Sequence, residues 1–249
     1  TIKESFEKSS NIGISRIITE NYKGKEQDFI DRLYSILDHD FMLDIAGEPK
    51  PSFTTPENYL WSGVTLPWMS TGYEVEMTPL QILTIYNAVA NRGEMMQPKI
   101  VKRIESNGFV SNHNQFNPTS MGVICSEKVS DLLIELMKGV VLNGTAKNIK
   151  SKFLELAGKT GTTQINYTLR DKEEMKYQTS FAGFFPADEP KYSCIVVINN
   201  PKKQYYANTV AAPVFKDIAE KIYNLDFDLF RNKNEYKTQD LQLTDNKVL

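Results

Sequence analysis

The sequence predicts an α+β fold in which an antiparallel sheet is flanked by helices. In the first 40 residues, apolar side chains recur at three- and four-residue steps, which places them on one face of a helix. The last third changes to alternating apolar and polar positions over 153–163, 178–185 and 191–199, a pattern typical of strands. Helical spacing returns over 212–223 and closes the strand cluster, so helices and strands are segregated along the chain.

Three helices are predicted before the strand cluster. The first covers 25–38, and the second starts at Thr78-Pro79, where a hydroxyl that can cap the helix precedes a proline at its first position. The third runs from Ser126 through Leu142 and ends at Asn143-Gly144. Prolines break up 41–77, which we interpret as a long loop, whereas 98–110 is predicted to be extended.

Composition excludes several classes of function. The 249 residues suggest one large domain or two small ones, and a net charge of −2 provides no basic excess for nucleic acid. Two cysteines without paired spacing and two histidines are too few for a disulfide framework, a zinc site or a histidine-rich metal centre. Because the chain begins at Thr1 and carries no signal peptide, we expect a piece of a longer protein, with a polar tail over 224–249.

The sharpest local signal is Lys159-Thr160-Gly161-Thr162, on a predicted strand. The lysine can place positive charge beside a nucleophile or a substrate carboxylate, and the threonine hydroxyls can bind that carboxylate. Gly161 lacks a side chain, which leaves room for a substrate backbone to lie against the strand. The alternative is a strand that simply ends in a turn.

The second signal is Ser9-Ser10-Asn11, which precedes an apolar stretch. A Ser-x-Asn step offers a hydroxyl that can relay a proton and an amide that can hold a substrate carbonyl or orient a lysine. Taken alone, a helix cap or a turn is the better interpretation, because serine and asparagine usually serve that purpose.

Together, Ser-x-Asn and Lys-Thr-Gly resemble the second and third elements of the serine acyl-transferase signature of penicillin-binding proteins and β-lactamases. The resemblance runs from about residue 4 to 223, which we take as a partial transpeptidase domain over 1–223, and it is closest to class B penicillin-binding proteins of the cell-division type. The segments that resemble this class are Gly72–Gln81, Tyr86–Asn91, Asn143–Lys147, Ala157–Gln164, Ser180–Ala187 and Ala212–Phe215.

The resemblance implies a β-lactamase/transpeptidase-like fold and a role for each site residue. Ser9 would relay protons, and Asn11 would bind the substrate's side-chain amide and orient a lysine. Lys159 would hold positive charge in the cleft, and Thr160 and Thr162 would bind the terminal carboxylate of a peptidoglycan stem peptide or a β-lactam. The backbone N–H of Thr162 would form half of the oxyanion hole. The mechanism that the resemblance implies uses no metal and no cofactor.

The first element of the signature, Ser-x-x-Lys, is expected to be missing. In the family it lies roughly 50 residues before Ser-x-Asn, but only eight residues precede Ser9. The literal match Ser5-Phe6-Glu7-Lys8 abuts Ser-x-Asn, so we interpret Ser5 as an exposed helix residue and Lys8 as solvated. The family's first strands and nucleophile helix would then also be absent, the chain alone would be inactive, and it could self-associate through the uncovered edge of its sheet.

Three functions stay open on the sequence. The leading one is the C-terminal part of a peptidoglycan DD-transpeptidase whose parent is anchored to the inner membrane, faces the periplasm and binds division-complex membrane proteins. The second is a serine β-lactamase or DD-carboxypeptidase, although no carboxylate assigned to deacylation is evident. The third is a catalytically dead interaction module of the division machinery.

Overall fold

The computed structural model describes residues 1–37, 47–102, 104–106, 109–111, 117–165 and 175–225. Helices dominate the first two thirds of these residues, and one long helix follows the last strand. A 3-10 turn at Lys147–Ile149 joins the sixth helix to the sheet. The helices are α1 (Ile2–Glu7), α2 (Asn11–Tyr22), α3 (Glu26–Leu37), α4 (Thr65–Met69), α5 (Pro79–Ala90), α6 (Glu127–Leu142) and α7 (207–225).

The main sheet is antiparallel, with its strands in the order β7-β8-β9. Three further antiparallel pairs are short and link β1 with β2, β3 with β6, and β4 with β5. The strands are β1 (Ser52–Phe53), β2 (Val75–Glu76), β3 (Glu94–Met96), β4 (Ile104–Ser106), β5 (Phe109–Ser111), β6 (Ser120–Val123), β7 (Ala157–Gln164), β8 (Tyr177–Phe185) and β9 (Tyr192–Asn199).

The core lies on both faces of the central strand β8. Phe184 belongs to a buried cluster with Val89 of α5 and Met137 of α6. Phe181 and Phe185 point to the opposite face, where both rings pack on Phe215 of α7, with centroids 4.7 and 5.8 Å away. Because successive strand residues alternate between faces, one run of phenylalanines binds helices to both sides of the sheet. Each buried ring contributes about 1.5–3 kcal/mol of hydrophobic stabilisation.

Helix starts follow the capping residues that the sequence shows. The Thr78 hydroxyl accepts a hydrogen bond from the backbone N–H of Gln81, and the Gln81 side chain accepts one from the N–H of Thr78. Ser126 caps α6 by accepting from the N–H of Val129. These side-chain bonds, reciprocal at Thr78 and single at Ser126, satisfy donors that a helix end otherwise leaves free. The α+β fold class and the helices at 26–37, 79–90 and 127–142 are confirmed.

Several predicted boundaries are wrong. The first strand of the sheet starts at 157 instead of 153, and α7 starts at 207 instead of 212, which places Pro213 inside the helix. Within the predicted loop, 47–77 contains the short elements α4, β1 and β2, and the described part of the predicted extended stretch 98–110 contains β4 and the first residues of β5. The sequence also predicts a charged, solvent-exposed loop over 166–176, of which residues 166–174 lie outside the described residues, as do the tail beyond 225 and both histidines.

Within the described ranges, no helix is long and apolar enough to cross a membrane. The same residues contain no cluster of three or more side chains suited to holding a metal ion.

Candidate active site

The structure brings Ser9 and Lys159 together. The Lys159 Nζ donates a hydrogen bond to the Ser9 Oγ at 2.7 Å, although the two residues are 150 positions apart in sequence. The same ammonium donates to the carbonyl of Thr160 at 3.1 Å. Both members of the sequence-predicted pair therefore meet at one point, where the hydroxyl can exchange a proton with groups in the cleft.

The buried position of Lys159 makes its ammonium a stronger acid than that of an exposed lysine. Its side chain leaves β7 toward α1, and the Nζ lies 5.9 Å from the centroid of the Phe6 ring, a cation–π contact. Burial lowers the pKa of the Lys159 ammonium to about 8, because removal from water disfavours the charged form. At neutral pH Lys159 therefore remains mainly charged, yet lies close to the midpoint of its titration.

Adjacent serines in Ser-Ser-Asn have different tasks. Ser10 is the N-cap of α2, and its hydroxyl accepts from the backbone N–H of Gly13 at 3.2 Å. Ser9 has a left-handed backbone with φ 53°, which is unusual for a residue other than glycine. The helix-cap interpretation is thus correct for Ser10, whereas the left-handed turn at Ser9 directs its hydroxyl to Lys159. Asn11 is the first residue of α2.

The threonines of β7 lie where the strand meets other elements. The Thr160 Oγ1 is 2.9 Å from the Thr145 Oγ1, so the two hydroxyls are hydrogen-bonded. The Thr162 Oγ1 accepts from the backbone N–H of Ala207, the first residue of α7, at 3.3 Å. Gly161 lies between them, opposite Ser180 in the register of β7 and β8.

Two adjoining cavities open onto these residues. One, of about 310 Å³, is lined by Lys159 and Gly161 and by the turn 70–73 that follows α4. The other, of about 530 Å³, is lined by Thr145 and by the start of α7. Ser9, Asn11, Thr160 and Thr162 line both cavities. All six sequence-predicted site residues therefore border one continuous cleft.

Sequence reasoning missed three contributors to the cleft. Thr145 was noted only as part of a family-like segment, although its hydroxyl touches Thr160. Tyr206, 56% exposed, lines the larger cavity, and the turn 70–73 lines the smaller one. The aromatic and glycine pattern of 72–81 could have indicated the turn, but Tyr206 carries no local signal.

Ser5 does not lie in the exposed position predicted for it. It is half-buried, because the close approach of Gly13 covers its hydroxyl. It also lines the smaller cavity. An ideal Cβ on Gly13 would be 2.3 Å from the Ser5 Oγ. Lys8 is exposed, as predicted.

Comparison with known proteins identifies the class that this fold and cleft define. The profile of the penicillin binding protein transpeptidase domain matches residues 1–220. The chain therefore belongs to the penicillin-binding protein transpeptidase family and has its β-lactamase/transpeptidase fold. Within that family it is homologous to the class B proteins called FtsI or PBP3.

Individual relatives support the assignment. Peptidoglycan D,D-transpeptidase FtsI of Buchnera aphidicola subsp. Baizongia pistaciae is 27% identical over 227 residues, 90% of this chain and 38% of that protein. FtsI of Escherichia coli K12 is 27% identical over 86% of this chain and 34% of its own length. Penicillin-binding protein 3 of Mycobacterium tuberculosis, solved with aztreonam, superposes with a TM-score of 0.75 and 25% identity over 90% of this chain and 51% of that chain. The chain thus spans well under half of these two curated relatives.

Proposed function

We propose that the chain forms the C-terminal portion of a peptidoglycan D,D-transpeptidase domain that is acylated by β-lactams. The observation that carries the proposal is the hydrogen bond between Lys159 and Ser9, at 2.7 Å, within a cleft that also contains Asn11 and Thr162. The named relatives are peptidoglycan D,D-transpeptidases, and one family structure holds aztreonam. These likenesses support the same reaction class for this chain.

In the proposed reaction, a serine Oγ attacks the carbonyl between the two terminal D-alanines of a stem peptide. A C–O bond forms, the C–N bond breaks, and terminal D-alanine leaves as the amine. The proton released by the nucleophile passes through the lysine of Ser-x-x-Lys to Ser9, which delivers it to that amine. An amine of a second stem peptide then attacks the acyl-enzyme, so that the cross-linking C–N bond forms and the ester C–O bond breaks. The proton released by this amine returns along the same groups to the serine Oγ.

Binding of the donor peptide is assigned to β7. The hydroxyls of Thr160 and Thr162 bind its terminal carboxylate, and the charge on Lys159 favours the anion. Asn11 binds the peptide's side-chain amide and orients the lysine of Ser-x-x-Lys. The peptide backbone lies along Gly161, and its reacting carbonyl accepts the N–H of Thr162, a donor of a kind that contributes about 2.7–4 kcal/mol to the transition state.

The nucleophile is assigned to a Ser-x-x-Lys segment outside 1–249. Neither serine nor lysine of Ser5-Phe6-Glu7-Lys8 suits the task. Ser5 lies beneath Gly13 on the α1 side, whereas Lys8 is exposed and lines the larger cavity instead of the one that contains Ser5. The chain by itself is therefore expected to remain unacylated.

The deciding experiment is intact-protein mass spectrometry after incubation with benzylpenicillin. Two proteins are compared, the chain 1–249 and the same chain extended upstream by about a hundred native residues. One adduct on the longer protein alone supports the proposal. An adduct on the shorter protein would assign the nucleophile to Ser5, and no adduct on either would favour the non-catalytic module. Rapid loss of the adduct to water would favour a β-lactamase or carboxypeptidase.

The parent's setting follows from the same proposal. We place it at the periplasmic face of the inner membrane, with division-complex membrane proteins as partners, which can be tested by locating a fluorescent fusion of the full protein. Among the described residues, β9 pairs only with β8. Its outer edge could thus pair with a second copy of the isolated chain, an association that light scattering over a concentration series would detect.

A further inference from the structure

We propose that Thr145 is a positioning residue for the carboxylate-binding hydroxyl of Thr160, and that a buried contact between α1 and α6 holds it in place. This assignment rests on the proposed function, since it concerns how the cleft binds a substrate carboxylate. It adds a residue outside both Ser-x-Asn and Lys-Thr-Gly. Three connected contacts support it.

The first contact is a socket for Glu7 at the end of α1. The Glu7 side chain is only 7% exposed and packs against Gly139 of α6, where an ideal Cβ would lie 2.0 Å from the Glu7 Oε1. Its backbone carbonyl packs against Gly144, where an ideal Cβ would lie 2.1 Å from that oxygen. Two glycines therefore permit a close approach that any other residue would obstruct.

The second contact fixes the backbone of Thr145. Its N–H donates to the carbonyl of Glu7 at 3.0 Å, across the same glycine-lined approach. Because Glu7 comes two residues before Ser9, this bond ties the loop that carries Ser9 to the segment after α6. The Glu7 Oε1 has no hydrogen-bond partner among the described residues, and its nearest cation, the Lys3 Nζ, lies 3.8 Å away. The buried Glu7 side chain and the hydrogen bond from the Thr145 N–H to the Glu7 carbonyl thus both hold the end of α1 against the segment after α6.

The third contact is the hydroxyl pair itself. The Thr145 and Thr160 oxygens are 2.9 Å apart, and both residues line the larger cavity. A hydroxyl rotates freely unless a partner selects one orientation. When Thr160 donates its proton to a carboxylate, its oxygen can accept from Thr145 at the same time. The pair therefore orders the Thr160 hydroxyl for an anion and strengthens its donated bond.

The experiment uses the full native protein that carries both this chain and the nucleophile. The second-order acylation rate is measured with benzylpenicillin and with its methyl ester, which lacks the carboxylate. Thr145→Val keeps the shape and removes the hydroxyl, whereas Thr145→Ser restores it. Thr119→Val removes an exposed hydroxyl that donates to the nearby carbonyl of Asn117, and serves as the matched control.

We expect Thr145→Val to lower the rate with benzylpenicillin about three- to tenfold, the range of one well-placed hydrogen bond. The rate with the ester should stay within about twofold of the unsubstituted protein, and Thr145→Ser should recover most of the loss. An equal loss of acylation rate with the acid and the ester, or no loss with the acid, would overturn the role of Thr145 and leave the proposed function intact. Failure of the unsubstituted protein to acylate would overturn the proposed function and this assignment together.

Discussion

The Lys159 Nζ and the Ser9 Oγ lie 2.7 Å apart, and this bond joins the Ser-x-Asn turn to the strand that carries Lys-Thr-Gly. The ammonium is held between that hydroxyl, a backbone carbonyl and the face of Phe6. No carboxylate is among these partners, so no negative charge offsets the cost of removing the ammonium from water, and the pKa of Lys159 falls to about 8.

The low pKa of Lys159 predicts that folding stability rises with pH. The value is about 8 in the folded protein against 10.5 in the ordinary side chain, so between these limits the unfolded chain binds more protons. Below pH 8 the fold carries the full cost of the buried charge, and that cost disappears as pH rises. From pH 7.5 to 9.5 the gain in the free energy of unfolding should be about 2 kcal/mol.

Urea unfolding of the chain across this pH range measures the gain. Lys159→Met replaces the ammonium by an apolar group of similar length, so its stability should lack this rise. The difference between the two proteins cancels the titration of all other groups. A parallel pH profile for both proteins would contradict a lowered pKa at Lys159.

The left-handed backbone of Ser9 predicts that glycine at this position gives a more stable protein than alanine, although both variants lose the hydroxyl that the proposed reaction needs. Ser9→Ala removes the hydroxyl but keeps a side chain at φ 53°, whereas Ser9→Gly removes both. A left-handed conformation costs an L-residue about 1–2 kcal/mol, a cost that glycine avoids. The larger backbone entropy of glycine in the unfolded chain offsets about half of this stabilisation. Ser9→Gly should therefore be about 0.5–1 kcal/mol more stable than Ser9→Ala.

Thermal unfolding of both variants tests this difference. Asn200 provides the matched control, because it has φ 50° in the turn after β9 and lies outside the cleft. Asn200→Gly should likewise exceed Asn200→Ala in stability. In the parent protein both Ser9 variants should acylate more slowly, but the Asn200 variants should not. Equal stability of the two Ser9 variants would contradict the argument that the left-handed backbone at Ser9 costs free energy in the folded protein.

The elements most accurately predicted from sequence are those whose causes are local. The helix α5 begins at Pro79 because Thr78 and Gln81 exchange hydrogen bonds within four residues. The start of α7 could not be found in this way, because the N–H of Ala207 is bound by Thr162, 45 residues earlier. Helical spacing identified the later, amphipathic part of α7 and missed its first turn, where the cap comes from the sheet.

The candidate site was predictable only in part, for the same reason. Ser-x-Asn and Lys-Thr-Gly each had a stronger local interpretation as a turn, and only their combination in a family-like order made both functional candidates. The role of Thr145 depends on contacts that no spacing encodes, namely the fit of Glu7 against Gly139 and the hydroxyl of Thr160. Such contacts become visible only when α1, α6 and β7 are assembled.

Lys138 predicts a stability effect that does not involve the cleft. Its Nζ lies 2.6 Å from Asp188, 3.3 Å from Glu135 and 3.4 Å from Glu155, so it joins α6 to both ends of the β7–β8 segment. The hydrogen bond to Asp188 holds the pKa of Lys138 above its usual range, and the same bond lowers the pKa of Asp188. Lys138→Met leaves three carboxylates facing one another and should cost about 1–2 kcal/mol.

Chemical denaturation in low and high salt tests the cluster. Added salt should reduce the loss in Lys138→Met, because it screens repulsion between the remaining carboxylates. Glu135→Gln removes one well-exposed partner and should change stability by less than about 0.5 kcal/mol. Lowering the pH through the Asp188 titration should remove more stability from the unsubstituted chain than from Lys138→Met, in which only the other carboxyls with lowered pKa values, such as Glu4 and Glu26, still contribute. A loss that is independent of salt would point to packing of the lysine stem instead.

The two glycines of β7 predict opposite outcomes for the same substitution. At Gly158 an ideal Cβ would lie 2.5 Å from the backbone carbonyl of Ala182 and 2.6 Å from the Phe181 ring, neither of which can move without distorting β8. Gly158→Ala should therefore destabilise the chain by about 3 kcal/mol or more. At Gly161 the only close atom in the part of the chain that the structure describes is the Ser180 Oγ, 2.7 Å from an ideal Cβ, and this hydroxyl can rotate aside. Gly161→Ala should cost less than about 1 kcal/mol.

In Gly161→Ala, the larger effect should be on the acylation rate and not on stability. The proposed substrate backbone lies along Gly161, so a methyl group there should slow acylation of the parent by about tenfold or more while the fold survives. Gly161→Ala combined with Ser180→Ala removes the steric contact inside the sheet but keeps the methyl group in the cleft. If the double variant recovers stability and stays slow, the loss arises from the substrate side. Acylation of Gly161→Ala at the unsubstituted rate would mean that the peptide does not run against this strand, and the binding roles of Thr160 and Thr162 would then need another geometry.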